Sequence, residues 1–171
     1  PSAGEASCLT CAVGKYAGIG STACKVCAAG TFAAKAGSAT CASCASGTYS
    51  SAGWDACVSC SSGKYSAGGA ATCTNCAPGT YQPKSTQSQC IKCSPGNIAA
   101  KAGSATCQPC AEGFYASSAT QCTPCSAGYY APTPASSTCL KCAAGTFSIS
   151  ESAYCHNCAA GKFSLSAATS C

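Results

Sequence analysis

The sequence has little charge and few of the side chains that carry out catalysis. It contains no methionine, one tryptophan, one histidine, four acidic residues and nine basic residues, and every basic residue is a lysine. Enzyme sites combine groups such as an acid–base pair, a nucleophile with its base, or a phosphate-binding loop. The four acids are scattered, and His156 is the only imidazole: Glu5, Asp55, Glu112, Glu151. The sequence therefore predicts a protein that is not an enzyme and that has no cofactor and no metal site.

Long apolar runs and arginine are missing as well. A helix that crosses a bilayer needs about 18 consecutive apolar residues, and no segment here approaches that length. Nucleic-acid-binding proteins cluster their positive charge and use the planar guanidinium of arginine, whereas the net charge of +5 comes from dispersed lysines. We expect no membrane span in this segment and no nucleic-acid partner. The lack of methionine and of a signal peptide is typical of a mature product or of an internal piece. Because the sequence starts and stops in mid-unit, we expect it to be a window of a longer repeating protein.

Cysteine is abundant, with 21 residues in a chain of 171. Ten Cys-x-x-Cys pairs recur every 15 to 17 residues, and each is followed by two mostly small residues, a glycine, a variable residue and an aromatic residue. Ile98 is the one exception to the aromatic position. A fixed repeat of this kind predicts an array of small stacked units rather than one globular core. We expect one continuous array over 1–171, with units at about 11–26, 27–43, 44–59, 60–75, 76–92, 93–109, 110–124, 125–141, 142–157 and 158–171.

Three chemistries are open to such cysteine pairs. Two pairs could form a tetrahedral zinc site, but zinc would require pairs taken two by two, with different loops inside and between sites, and no such alternation is visible. Redox catalysis needs a Cys-x-x-Cys at the start of a helix in a larger βαβ unit, and segments of about twelve residues leave no room for one. Structural disulfides, formed in an oxidising compartment, are therefore favoured.

The spacing also predicts which cysteines pair. A bond within a Cys-x-x-Cys would restrain almost nothing, whereas a bond from the second cysteine of one pair to the first of the next closes a loop that fits a short β-hairpin. We expect the Gly-x-aromatic segment to form one strand and the residues before the closing cysteine to form the other. Cys8 is left unpaired or intermolecular. The predicted bonds are Cys11–Cys24, Cys27–Cys41, Cys44–Cys57, Cys60–Cys73, Cys76–Cys90, Cys93–Cys107, Cys110–Cys122, Cys125–Cys139, Cys142–Cys155 and Cys158–Cys171.

The repeated pattern resembles a known module. Segments such as Cys44-Ala45-Ser46-Gly47-Thr48-Tyr49, followed by seven to nine residues and a cysteine, resemble the ephrin-receptor-like cysteine-rich repeat and are similar to the first loop of tumour-necrosis-factor-receptor modules. Long tandem arrays of such repeats are similar to those of large surface and flagellar-hair (mastigoneme-type) proteins of algae and protists. The resemblance implies a cysteine that closes the loop beginning just before Gly-x-Tyr. Modules of this type serve as spacers, as ligand-binding stalks and as polymer subunits.

These observations predict a small, disulfide-rich, mostly β fold, an elongated tandem array of about ten disulfide-closed hairpins with little or no helix. The leading functional hypothesis is an extracellular structural protein, part of a filament, coat or cell-surface appendage, which associates with itself or with other surface-structure proteins. The alternative is a ligand-binding or spacer stalk of a receptor or adhesin, with the unit that holds Trp54 as the place to look. Clustered hydroxyl side chains suggest O-linked glycans, and the candidate acceptors are Thr133, Ser136, Ser137 and Thr138.

Overall fold

The computed structural model describes residues 9–171, which contain eighteen strands and no helix. In that range, accordingly, no helix is long and apolar enough to cross a bilayer. The strands are β1 (Lys15–Tyr16), β2 (Lys25–Val26), β3 (Thr31–Phe32), β4 (Ala42–Ser43), β5 (Thr48–Tyr49), β6 (Val58–Ser59), β7 (Lys64–Tyr65), β8 (Thr74–Asn75), β9 (Thr80–Tyr81), β10 (Ile91–Lys92), β11 (Asn97–Ile98), β12 (Gln108–Pro109), β13 (Phe114–Ser118), β14 (Gln121–Pro124), β15 (Tyr129–Tyr130), β16 (Leu140–Lys141), β17 (Thr146–Phe147) and β18 (His156–Asn157).

Each odd-numbered strand pairs with the strand that follows it, so the described chain contains nine separate two-stranded sheets. In the sheets other than β7–β8 the pairing is antiparallel. The aromatic residue of the Gly-x-aromatic pattern, which we call the slot aromatic, lies opposite the first residue after the closing cysteine, as in Tyr49↔Val58 and Tyr130↔Leu140. The exception in length is β13–β14, which has four register pairs and an irregularity between Ala116 and Ser118. The predicted small, disulfide-rich, mostly β tandem array is therefore confirmed.

A tight turn after each Cys-x-x-Cys starts the next hairpin. In the second repeat the amide of Thr31 donates to the carbonyl of Ala28 at 3.0 Å, and the Thr31 hydroxyl donates to the same carbonyl at 2.7 Å. The third position of this turn is Gly30, with φ of 83°. A turn with positive φ at that position strongly favours glycine, because other residues meet their own backbone there. The Gly-Thr sequence thus encodes the turn.

The second strand of most hairpins lies in a different place from the one we expected. We expected it before the closing cysteine, but in eight of the nine sheets it is the x-x dipeptide that follows that cysteine, such as Lys25–Val26 after Cys24. The amide of Cys27 donates to the carbonyl of Gly14 at 3.0 Å, which holds the dipeptide against the Gly-x-aromatic strand. The residues before the closing cysteine instead form turns. Only β14 contains its closing cysteine, Cys122.

The interior is made of sulfur and small side chains. The largest fully buried side chains of the described residues are cysteines and serines: Cys27, Cys60, Cys76, Cys110, Cys125, Cys142, Ser50 and Ser148. The slot aromatics are only half-buried, apart from Phe163, which is exposed. Because no large apolar side chain is fully enclosed, disulfides take the place that an aliphatic core has in most domains.

The described chain forms two compact units. The first comprises the residues up to Thr74 together with Lys84–Gln89, and the second comprises Asn75–Pro83 together with Cys90–Cys171. Both contain the same kind of disulfide-closed hairpin. Within each unit, the same kinds of contact recur between successive hairpins.

Candidate functional site

Ten disulfides close ten consecutive loops, which we number loop 1 (11–24) to loop 10 (158–171) in chain order. The structure joins Cys11–Cys24, Cys27–Cys41, Cys44–Cys57, Cys60–Cys73, Cys76–Cys90, Cys93–Cys107, Cys110–Cys122, Cys125–Cys139, Cys142–Cys155 and Cys158–Cys171. Their Cα–Cα distances are 5.6 to 5.8 Å and their sequence separations are 12 to 14 residues. The structure thus brings together each pair of cysteines that the spacing suggested. Cys8 lies outside the described residues.

Successive loops are joined by a repeated backbone hydrogen bond. One residue near the middle of the later loop, which we call the tip residue, donates its amide to the carbonyl of the cysteine that opens the preceding loop. Gly53 donates to Cys27 at 2.9 Å, Gly69 to Cys44 at 2.8 Å and Ala135 to Cys110 at 2.8 Å. The tip residues that do so are Gly37, Gly53, Gly69, Thr86, Gly103, Ala135, Glu151 and Ala167, and all have positive φ. This backbone angle points the amide back along the array.

The glycine in the turn that follows a Cys-x-x-Cys pair, which we call the turn glycine, lies against the loop two repeats further on in several repeats. A Cβ at Gly30 would overlap the carbonyl oxygen of Gly69 and would lie 2.6 Å from its carbonyl carbon. Gly14 stands in the same relation to Gly53, and Gly96 to Ala135. Loops 1, 2 and 6 are therefore each in contact with the second loop along as well as with their neighbour. Only a residue without a side chain leaves room for that approach.

A buried hydroxyl adds a further bond in some repeats. Ser50, which follows the aromatic of loop 3, is 0 % exposed, and its hydroxyl donates to the carbonyl of Thr31 in loop 2 at 3.0 Å. Ser148 donates to the carbonyl of Tyr129 in the same way at 2.9 Å. Alanine occupies this position in other loops, at Ala33, Ala99 and Ala131, and is also buried there.

We expect Ser50→Ala to lower the free energy of unfolding of the first compact unit by about 1 kcal/mol, the usual net contribution of one hydrogen bond. The methyl group fits, since alanine is the natural residue at this position in other loops. Urea denaturation of the oxidised protein, followed by Trp54 fluorescence, measures the change. The exposed neighbour Ser51→Ala is the matched control. Equal losses in the two variants would contradict the assigned bond.

Four tip residues adopt the left-handed conformation although they are not glycine: Thr86, Ala135, Glu151 and Ala167. We expect Ala135→Gly, at φ of 59°, to stabilise the second compact unit by about 0.5 kcal/mol. Relief of the steric cost outweighs the extra freedom that glycine has in the unfolded chain. Hydrogen exchange at the Ala135 amide, which is bonded to Cys110, reports the effect. Ala102→Gly, beside a tip glycine but without positive φ, should destabilise instead.

Aromatic residues outside the repeat pack locally. The ring of Trp54 is half-buried and lies 5.7 Å from that of Tyr49 in its own loop. The ring of His156 lies 5.6 Å from that of Phe147 and 4.8 Å from that of Tyr154, between centroids, and both pairs of rings are tilted. Sequence reasoning missed this cluster, although the adjacent Tyr154 was visible as an aromatic outside the slot. Over residues 9–171 no group of histidine, cysteine and acidic side chains could hold a metal ion.

The four candidate glycan acceptors lie in loop 8. Thr133, Ser137 and Thr138 are exposed, whereas Ser136 is half-buried. The Ser136 hydroxyl donates to the carbonyl of Thr133 at 2.7 Å, and its own carbonyl accepts the amide of Ala116 at 3.0 Å. Three hydroxyls are therefore open to solvent, and the fourth stabilises the turn.

Comparison with known families agrees with the geometry. The family model described as tyrosine-protein kinase ephrin type A/B receptor-like matches residues 14–51, 63–105 and 113–154. No curated protein matches the chain at a significant level. The matched family is one of cysteine-rich receptor-like repeats and not of enzymes, and such repeats are typical of extracellular domains. Because the three matched ranges cover more than half of the residues, this chain belongs to the ephrin type A/B receptor-like family of cysteine-rich repeats.

Proposed function

We propose that this chain is a structural segment of an extracellular filament, coat or surface appendage. The observation that supports this most is the uniform joining of successive loops: tip amides of eight loops bond to the cysteine carbonyl of the loop before. A ligand site usually interrupts a repeat, whereas a scaffold repeats one contact along its length. The resemblance of such arrays to flagellar-hair proteins of algae and protists suggests the kind of appendage.

Exposed aliphatic side chains offer a surface for association with another copy or with other surface-structure proteins. Val58, Ile91 and Leu140 each follow a closing cysteine and are 46 %, 47 % and 47 % exposed. All three lie directly across the hairpin from a slot tyrosine, at Tyr49↔Val58, Tyr81↔Ile91 and Tyr130↔Leu140. Because these strands are sheet edges with apolar side chains, they suit lateral association.

O-linked glycans are a further part of the proposal. The exposed Thr133 lies between Pro132 and Pro134 in loop 8, and the exposed Ser137 and Thr138 follow shortly after, a setting that suits O-glycosylation. The half-buried Ser136 already donates a hydrogen bond. Intact mass measurement of the native material should show mass above that of the polypeptide and its ten disulfides. An unmodified mass would remove this part of the proposal alone.

Electron microscopy of the native material tests the structural function. Filaments or coats with a regular rise, labelled by an antibody against residues 9–171, are the expected result. Monodisperse particles that never assemble would contradict it. Substitution of Val58, Ile91 and Leu140 by serine should weaken assembly, whereas Ser51→Ala, on an exposed loop position, should leave it unchanged.

One observation favours the second candidate, a ligand-binding stalk. Loop 7 departs from the repeat, with the five-residue strand β13 in place of a two-residue one. Beside it, Tyr115, Pro124 and Tyr129 line a shallow groove together with hydroxyl side chains. Soluble monomers that bind one ligand, with affinity lost in Tyr129→Ala, would support the stalk over the filament.

A further inference from the structure

The disulfides provide a second, much shorter covalent route along the chain. Each closed loop is followed by only two residues before the next loop opens: Lys25 and Val26, for example, separate the Cys11–Cys24 bond from the Cys27–Cys41 bond. Starting from Cys11, the route runs across a disulfide, along a dipeptide and across the next disulfide. It continues in this way to Cys171. Every residue inside a loop is bypassed.

The lengths of the two routes differ greatly. Ten disulfides with Cα–Cα distances of 5.6 to 5.8 Å, joined by nine extended dipeptide segments, span at most about 150 Å. The same residues drawn out as a plain backbone would span about 550 Å. While the disulfides are intact, roughly three quarters of the length of the fully extended backbone is therefore not accessible to stretching.

We propose that the chain acts as a tether of low extensibility whose maximum length is set by its disulfides. This inference rests on the proposed structural function, because a filament or appendage is a place where such a segment carries load. Tension applied at the two ends follows the shortest covalent route, and so it passes through sulfur–sulfur bonds and dipeptides. The residues inside the loops lie outside this route.

The position of the non-covalent contacts fits that role. Bonds between successive loops reach the load route at the backbone of the cysteines that open the loops: Gly53 donates to the Cys27 carbonyl at 2.9 Å, and the Cys27 amide donates to the Gly14 carbonyl at 3.0 Å. The tip residues and the turn glycines, with their close contacts at Gly30 and Gly96, lie inside the bypassed loops. Pulling on the ends can separate neighbouring loops, but it cannot extend the backbone inside a loop that a disulfide closes. Unfolding therefore adds little length while the disulfides are intact.

Single-molecule force spectroscopy on the full chain, held by a handle at each end, tests the inference. The oxidised protein should stop extending when the span from Cys11 to Cys171 reaches about 150 Å. Addition of a phosphine reductant under constant force should then release length in up to ten steps of about 40 Å each, one for every reduced disulfide. Extension of the oxidised chain well beyond 300 Å, or no gain after reduction, would overturn the tether.

A variant with both cysteines of one loop replaced is the matched control. In Cys60→Ala/Cys73→Ala, with a sequence separation of 13, the oxidised limit should rise by about 40 Å and one reductive step should disappear. An unchanged limit would contradict the assigned route. This outcome is independent of the electron microscopy. Filaments formed by a chain that extends freely would contradict the tether inference alone. A chain of low extensibility that never assembles would contradict only the proposed structural function.

Discussion

Gly30→Ala should destabilise the first compact unit by about 2 to 4 kcal/mol, although it adds a single methyl group. About 1 kcal/mol comes from placing a side chain at positive φ, and crowding in a close-packed contact contributes about 1 to 3 kcal/mol more. The φ of Gly30 is 83°, and its missing Cβ would overlap the carbonyl of Gly69. Because that contact joins loop 2 to loop 4, the loss should spread beyond the turn itself. Urea denaturation of the oxidised protein with Trp54 fluorescence measures it.

The matched control is the other member of the same contact. Gly69 also has positive φ, 73°, but a Cβ there would meet nothing within 4 Å. Alanine already occupies the corresponding tip position at Ala135 and Ala167. Gly69→Ala should therefore cost only about 1 kcal/mol, the backbone part of the effect. If the two variants were equally destabilised, the close approach of loops 2 and 4 would not be what requires glycine.

Complete reduction under otherwise native conditions should unfold the described chain. A disulfide around a loop of this size contributes about 3 kcal/mol, so ten of them exceed the 5 to 15 kcal/mol by which most domains are stable. No large aliphatic or aromatic side chain of the described residues is fully buried and able to compensate, since the largest fully buried side chains are cysteines and serines. Hydrogen exchange before and after reduction should show that the tip amides, such as that of Gly53, lose their protection. Protection that persists in fully reduced protein would contradict this.

The loops should differ in how strongly they depend on their disulfide. The hairpin that begins in loop 7 pairs β13 with β14 over four register pairs, whereas the hairpin that begins in loop 5 pairs the two-residue strands β9 and β10. We expect Cys110→Ala/Cys122→Ala to retain exchange protection within 114–124. The matched double variant Cys76→Ala/Cys90→Ala should lose protection throughout 77–92. The opposite ranking would show that the longer ladder of backbone hydrogen bonds does not stabilise loop 7.

The repeat itself was predictable from the sequence because its determinants are local. Cysteine spacing and the glycine-x-aromatic pattern lie within one repeat, and they indicated disulfide-closed hairpins without helix. The predicted position of the second strand was wrong because strand pairing follows the turn geometry. The amide of Cys27 donates to the carbonyl of Gly14, so the paired residues lie after the closing cysteine and not before it. Spacing alone contains no information on that register.

The contacts between loops could not be predicted for a different reason. The tip residue is defined by its backbone angle, and glycine, threonine, alanine and glutamate all adopt it. A glycine near the middle of several loops, as at Gly53 and Gly103, is the one signal that could have indicated the tips. The relation between Gly30 and Gly69 depends on how loops stack in three dimensions, and nothing within one repeat specifies it. The contact between the rings of Tyr154 and His156 likewise could not be predicted from the repeat pattern.

The closed loops also have a consequence for proteolytic damage. A protease that cuts after Lys35 opens the backbone of loop 2, but the fragments stay joined through the Cys27–Cys41 bond. Cleavage at Lys84 or Lys101 is tolerated in the same way. Only the dipeptides between loops, such as the one that contains Lys92, are places where one cut severs the molecule. Most single cuts inside the loops therefore leave the molecule in one piece.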